Sequence, residues 1–129
     1  VTVAGRTFEG EAVHASGDLL TIAVGGAAEV DIRLNAASEI RLRHVLGRAE
    51  PRVLARHPGS FLGRLNELNA LESNVEVGGE GIATAAPTRI AVVATDHLEV
   101  DDPEGRRVIP LEAIAYLIRR DERSGKKRR

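Results

Sequence analysis

The chain contains no cysteine. That excludes disulfides, thiolate metal sites and cysteine nucleophiles, and it is compatible with a cytoplasmic protein. Aromatic residues are almost as scarce, since Phe8, Phe61 and Tyr116 make up 2% of 129 residues. Stacking of nucleobases or sugars on aromatic platforms calls for more of them, so any core must be built from Val, Ile, Leu and Ala. No run approaches the roughly 20 apolar residues that span a bilayer, and no N-terminal stretch reads as a targeting signal. The expectation is a soluble, cytoplasmic protein with no membrane association. At 43% hydrophobic, the chain can bury one ordinary core or two very small ones.

The net charge of −1 hides an uneven distribution. Residues 1–47 carry four Arg against six acids, a balance of −2, and residues 48–72 four Arg against three Glu, a balance of +1. Residues 73–118 set three Arg against eight acids, a balance of −5, whereas residues 119–129 have seven basic and two acidic side chains, a balance of +5. The second half is acidic with a basic end.

What is plentiful is period-2 alternation, the mark of half-buried strands. Phe8, Gly10 and Ala12 oppose Thr7, Glu9 and Glu11. Leu20, Ile22 and Val24 oppose Thr21 and Ala23, Val30, Ile32 and Leu34 oppose Asp31, Arg33 and Asn35, and Ile40 and Leu42 oppose Arg41 and Arg43. An antiparallel meander with one apolar face follows. Leu98 and Val100 repeat the pattern later. Asp102, Pro103, Glu104 and Gly105 then stand in the preferred order of a type I turn, and Val108 and Ile109 resume the apolar run.

Between these regions the alternation stops. Glu50-Pro51 is compatible with a short helix ending at His57-Pro58-Gly59. Ser60 is the predicted N-cap of a helix over residues 61–72, with Phe61, Leu65, Leu68 and Leu71 on one face. Residues 15–22 also align with residues 93–100, Asp18 over Asp96, Leu20 over Leu98 and Ile22 over Val100. An internal duplication accounts for this, and so does the generic likeness of any two β meanders.

The order Gly5-Arg6-Thr7-Phe8-Glu9-Gly10, Asp18-to-Leu42 strands, and then Val108-Ile109-Pro110-Leu111-Glu112-Ala113-Ile114 resembles Sm-like and broader SH3-like small barrels. The resemblance implies a mainly β fold of two small SH3-like or Sm-like barrels joined by a helical connector. The first barrel takes residues 1–47, the connector 48–73, the second barrel 74–118, and a basic tail expected to be disordered 119–129. A single α+β domain with residues 111–118 helical is the alternative. No aromatic stacking residue stands where RNA-binding members of that family hold uridine, so RNA binding does not carry over.

Candidate chemistry is thin. His14, His44, His57 and His97 lie at no metal-ligand spacing. Asp96 and His97, as strand neighbours, are expected on opposite faces. Asp18 and Asp96 suit turn hydrogen bonds. Gly25-Gly26 and Gly78-Gly79-Glu80-Gly81 lie between strands and suit hairpins or bulges rather than phosphate loops. No nucleophile elbow occurs. The expected function is therefore a non-enzymatic interaction or assembly module without a cofactor, whose partner is another protein or a second copy. Leu65, Leu68 and Leu71 are the candidate interface. The alternative is association with nucleic acid, in which Arg119, Arg120, Arg123, Lys126, Lys127, Arg128 and Arg129 contact phosphates. A solvated terminus reads equally well from the same residues.

Overall fold

A computed structural model describes residues 1–25, 28–41, 59–84 and 88–120. The first half contributes β1 (Thr2–Val3), β2 (Arg6–Thr7), β3 (Glu11–Ser16), β4 (Leu19–Val24), β5 (Ala28–Arg33), a 3-10 turn (Leu34–Ala36) and β6 (Ala37–Glu39). Helix α1 (Phe61–Leu71) follows. The second half contributes β7 (Glu76–Gly79), β8 (Ile82–Ala83), β9 (Arg89–Val93), β10 (His97–Asp102), β11 (Gly105–Pro110), another 3-10 turn (Leu111–Ala113) and β12 (Tyr116–Arg120). The protein is mainly β. The alternative of a helix over residues 111–118 fails, because only the three-residue turn intervenes before the chain extends into β12. The predicted short helix after Glu50 lies outside the described residues.

Three antiparallel sheets form, in the orders β2-β1-β6, β11-β10-β9 and β3-β4-β5-β12-β7-β8, and none of them closes among the described residues. The largest sheet draws strands from both halves through the pairing of β5 with β12, in which Tyr116 faces Ile32, Leu117 faces Asp31 and Ile118 faces Val30. Strands of the two halves thus share a sheet directly, where the sequence suggested two barrels joined by a helical connector. Among the described residues no helix is long and apolar enough to cross a membrane.

Helix α1 begins where the sequence places it. Ser60 is extended, its Oγ accepts the Gly63 N–H at 3.0 Å, and the helix ends at Glu72 in a left-handed conformation (φ 55°). Phe61, Leu65 and Leu68 are buried in a cluster with Leu19, Val77, Leu98, Val100, Ile109 and Leu117. A second cluster joins Val3, Phe8, Leu20, Ile22, Val30 and Ile32 to Ala115, Tyr116 and Ile118. Strand β12 therefore feeds both, Leu117 on one side and Tyr116 and Ile118 on the other, as alternation requires.

The pairing registers of the two halves run in parallel. Phe8 N–H donates to Val1 O at 2.8 Å, and Thr84 N–H, 76 positions on, donates to Val77 O at 3.0 Å. Ala4-Gly5 connects β1 to β2 as Glu80-Gly81 connects β7 to β8. Strand β3 skips Val13 in pairing with β4, and β9 skips Ala91, 78 positions on, in pairing with β10. Such a skipped residue is a β-bulge, which bends a strand and raises its twist. After each hairpin, Leu34 N–H donates to Asp18 O and Leu111 N–H to Asp96 O, at 2.7 and 3.0 Å. Each 3-10 turn then leads to a strand that pairs with the first strand of its own half, β6 with β1 and β12 with β7.

Not every polar face stays wet. Thr21 and Asp31, on the predicted solvent side of β4 and β5, are buried. The cause is α1, whose Arg64 lies over that side. The hairpin predicted at residues 78–81 forms between β7 and β8, with Gly78 inside β7 beneath a ring. A Cβ there would stand 2.1 Å from Tyr116 Cζ. The turn falls to Gly81 (φ 73°).

Candidate functional site

The junction of β5 and β12 is the most heavily bonded place among the described residues. Asp31, 0% exposed, takes Oδ1 bonds from Thr21 Oγ1 at 2.7 Å and Arg64 Nε at 3.1 Å. Arg119 donates to it from Nε at 2.5 Å and from Nη2 at 3.0 Å, and Nη2 also reaches Glu29 Oε1 at 2.9 Å. Arg64 Nη1 continues to Glu67 Oε1 at 2.6 Å. One buried carboxylate thus ties β5, α1 and β12 together, and Asp31, Arg64 and Arg119 each have a charged partner. Burial alone disfavours the charge on Arg119, but Asp31 and then Glu29 outweigh it and hold the guanidinium above its ordinary value. Sequence reasoning missed Asp31. Its 88-residue separation from Arg119 leaves no local signal, and only the polar residue at the centre of an otherwise apolar strand pair hints at it.

This junction decides part of the basic run. Arg119 was a candidate phosphate contact, yet its guanidinium is committed to Asp31 and Glu29 and is unavailable. Arg120 is more open, with side-chain exposure of 59% and Glu76 Oε2 at 3.4 Å. It borders a cavity of about 240 Å³ that Arg6, Phe8, Val30 and Ile118 also line. Arg6 lies 5.0 Å from the Phe8 ring centre and 5.6 Å from that of Tyr116, and those rings meet edge to face at 5.0 Å. Arg123, Lys126, Lys127, Arg128 and Arg129 lie outside the described residues.

The leucines separate as well. Leu65 and Leu68 are 1% and 3% exposed within the chain's own core, so they cannot meet a second chain, while Leu71 is 64% exposed. Among the described residues the other large exposed hydrophobics are Ile40, Leu62, Val92 and Val108. Ile40 immediately follows β6, and Val108 lies in β11. Both strands are at sheet edges.

Asp96 and His97 meet after all, Oδ1 to Nδ1 at 2.8 Å, and His97 Nε2 reaches Glu99 at 3.3 Å. They escape strict alternation because Asp96 lies in the bend before β10 begins. Hydrogen bonding to Asp96 and then Glu99 raises the His97 pKa, and the bond to His97 lowers that of Asp96. The pair is open to solvent and lines no cavity described above. Asp18 Oδ1 accepts the Phe61 N–H at 2.8 Å, which fixes the start of α1 against the first half rather than closing a turn. His44 and His57 lie outside the described residues. Among the described residues no three His, Asp or Glu side chains converge as a metal site.

Compared with known proteins, the chain matches no family model, and neither a curated protein nor a solved structure is matched.

Proposed function

We propose that the chain is a non-enzymatic interaction and assembly module, made of two copies of one small SH3-like or Sm-like barrel that meet edge to edge. Support for the two copies comes from the 76- to 78-residue offset between their registers, which extends to the skipped residue in β3 and β9. The observation that carries the function is the β5–β12 pairing. An edge of one copy is already used to bind an edge of the other, and among the described residues β6 and β11 are sheet edges of the same kind. Sheet edges recruit partners because their unpaired N–H and C=O groups template another strand.

The test follows the fluorescently labelled full chain by sedimentation velocity, once in buffer and once in concentrated extract of its native cells. Faster sedimentation in extract, or a mass above the 13.8 kDa of one chain in buffer, is the expected result. Sedimentation as a single free chain in both would defeat the proposal. A second reading, phosphate contact through the basic C-terminal run, is favoured by the outward position of Arg120. It requires duplex binding that weakens with salt and is lost when Arg120→Ala is combined with removal of residues 121–129. Absence of binding at low salt excludes it.

A further inference from the structure

We infer that chains associate head to tail by pairing β11 of one copy with the end of β6 and the two residues after it, Glu39 to Arg41, of the next, in the register that β5 and β12 already use within the chain. This rests on the two-copy reading above and names the partner as a second copy. In the internal junction, β5 has β4 on one side and β12 on the other, and β12 has β7 on its far side. The corresponding strands are β11, with only β10 beside it among the described residues, and β6, with only β1 beside it among them. The described residues therefore display both halves of the junction used internally, each without its complement among them.

Asp31, Val30 and Ile32 of β5 correspond to Val108, Arg107 and Ile109, 77 positions on. Leu117, Ile118 and Tyr116 of β12 correspond to Ile40, Arg41 and Glu39, 77 positions back. The pair Asp31–Leu117 becomes Val108–Ile40. These two residues are 62% and 46% exposed, and the transferred register brings them face to face. Cross-strand β-branched pairs of this kind stabilise antiparallel pairing. Arg41 would lie opposite Arg107, but each has its own carboxylate, Glu39 at 2.9 Å and Asp102 at 3.5 Å. Pro110 stands where Arg33 donates its N–H to Ala115 O at 2.9 Å, so the transferred ladder forgoes one hydrogen bond at its end. The ladder is short, which makes association dependent on concentration. Because the two surfaces differ, the contact is heterologous and gives a closed ring or an open filament.

The experiment measures the mass of the purified full chain by light scattering over a hundredfold concentration range. The expected outcome is a mass rising above one chain, returning to one chain in Val108→Asp and in Ile40→Asp, with melting temperature unchanged because both side chains are exposed. As a second measurement, Ile40→Cys and Val108→Cys chains, otherwise free of cysteine, are mixed under mild oxidation. Mixed 40–108 disulfides are expected to exceed 40–40 and 108–108 products. A single chain at every concentration overturns the inference, and so does an oligomer that survives both substitutions or cross-links predominantly between like positions. If the purified chain is single but sediments faster in extract, self-pairing fails while the interaction-module reading stands.

Discussion

Leu19 and His97 open corresponding strands in the two halves, each one residue after an aspartate, yet Leu19 is 0% exposed and the His97 side chain 33%. The aspartates differ to match. Asp18 holds the first N–H of α1, whereas Asp96 holds His97. Farther along, Asp31 is buried while Val108, at the corresponding position, is 62% exposed. A carboxylate inside and a valine outside invert the usual preference. What differs is the neighbourhood. Helix α1 and β12 cover the first half's strands, and nothing described covers the edge of β11. Tertiary contact, not the alternation of either strand, decides which face is dry.

The largest expected contrast is between Asp31→Ala and Val108→Thr. The first leaves Arg64 and Arg119 buried without their shared partner and should cost about 3–5 kcal/mol. The second changes an exposed edge position and should stay within about 0.5 kcal/mol. Chemical denaturation of both variants gives the answer. Similar losses would mean that the junction does not hold the halves together.

A smaller contrast lies in the first strands. Gly78 lies under Tyr116, whereas Thr2, 76 positions earlier, bonds Thr7 at an exposed site. Gly78→Ala forces the ring aside and should cost about 1–3 kcal/mol, while Thr2→Ala should cost far less. In a double-mutant cycle, truncating Tyr116 to Ala should remove most of the Gly78→Ala penalty. Additive losses in that cycle would refute the steric account.

Much of the second half was legible in its sequence, because the β10–β11 hairpin combines clean alternation with a turn of favoured composition. Leu98, Val100 and Ile109 are buried as that pattern requires. Ser60 marked its helix for a similar reason, since capping is local chemistry. The first half was less legible. Residues 7–12 read as one strand, but β2 ends at Thr7 and β3 begins at Glu11. Between them the backbone at Gly10 comes so close to Ala23 that a Cβ would lie 2.1 Å from its carbonyl oxygen. The candidate site suffered most. Arg119 belonged by sequence to a basic run and by structure to Asp31, and Leu65 and Leu68 looked like an interface because a helix face does not reveal which surface it meets.

The smallest expected effect is at His97. Its pKa is raised above the ordinary 6.5 by bonding to Asp96 and Glu99, and that of Asp96 is lowered below 3.8 by bonding to His97. A raised folded-state pKa means that protonated His97 stabilises the fold fully below about 6.5 and that this contribution fades as pH rises through the folded value. The depressed value of Asp96 means that its contribution is present above about 3.9 and fades as pH falls. The pair therefore acts between those limits, and because both groups are open to water and salt its weight in stability is slight. An NMR titration reads it directly: the His97 ring should titrate above 6.5, and Asp96→Asn should move it downward without abolishing the shift, since Glu99 remains. Titration at or below 6.5 in the native chain would show that the pair does not persist in solution, and that His97 differs from Leu19 only in lacking a helix to cover it.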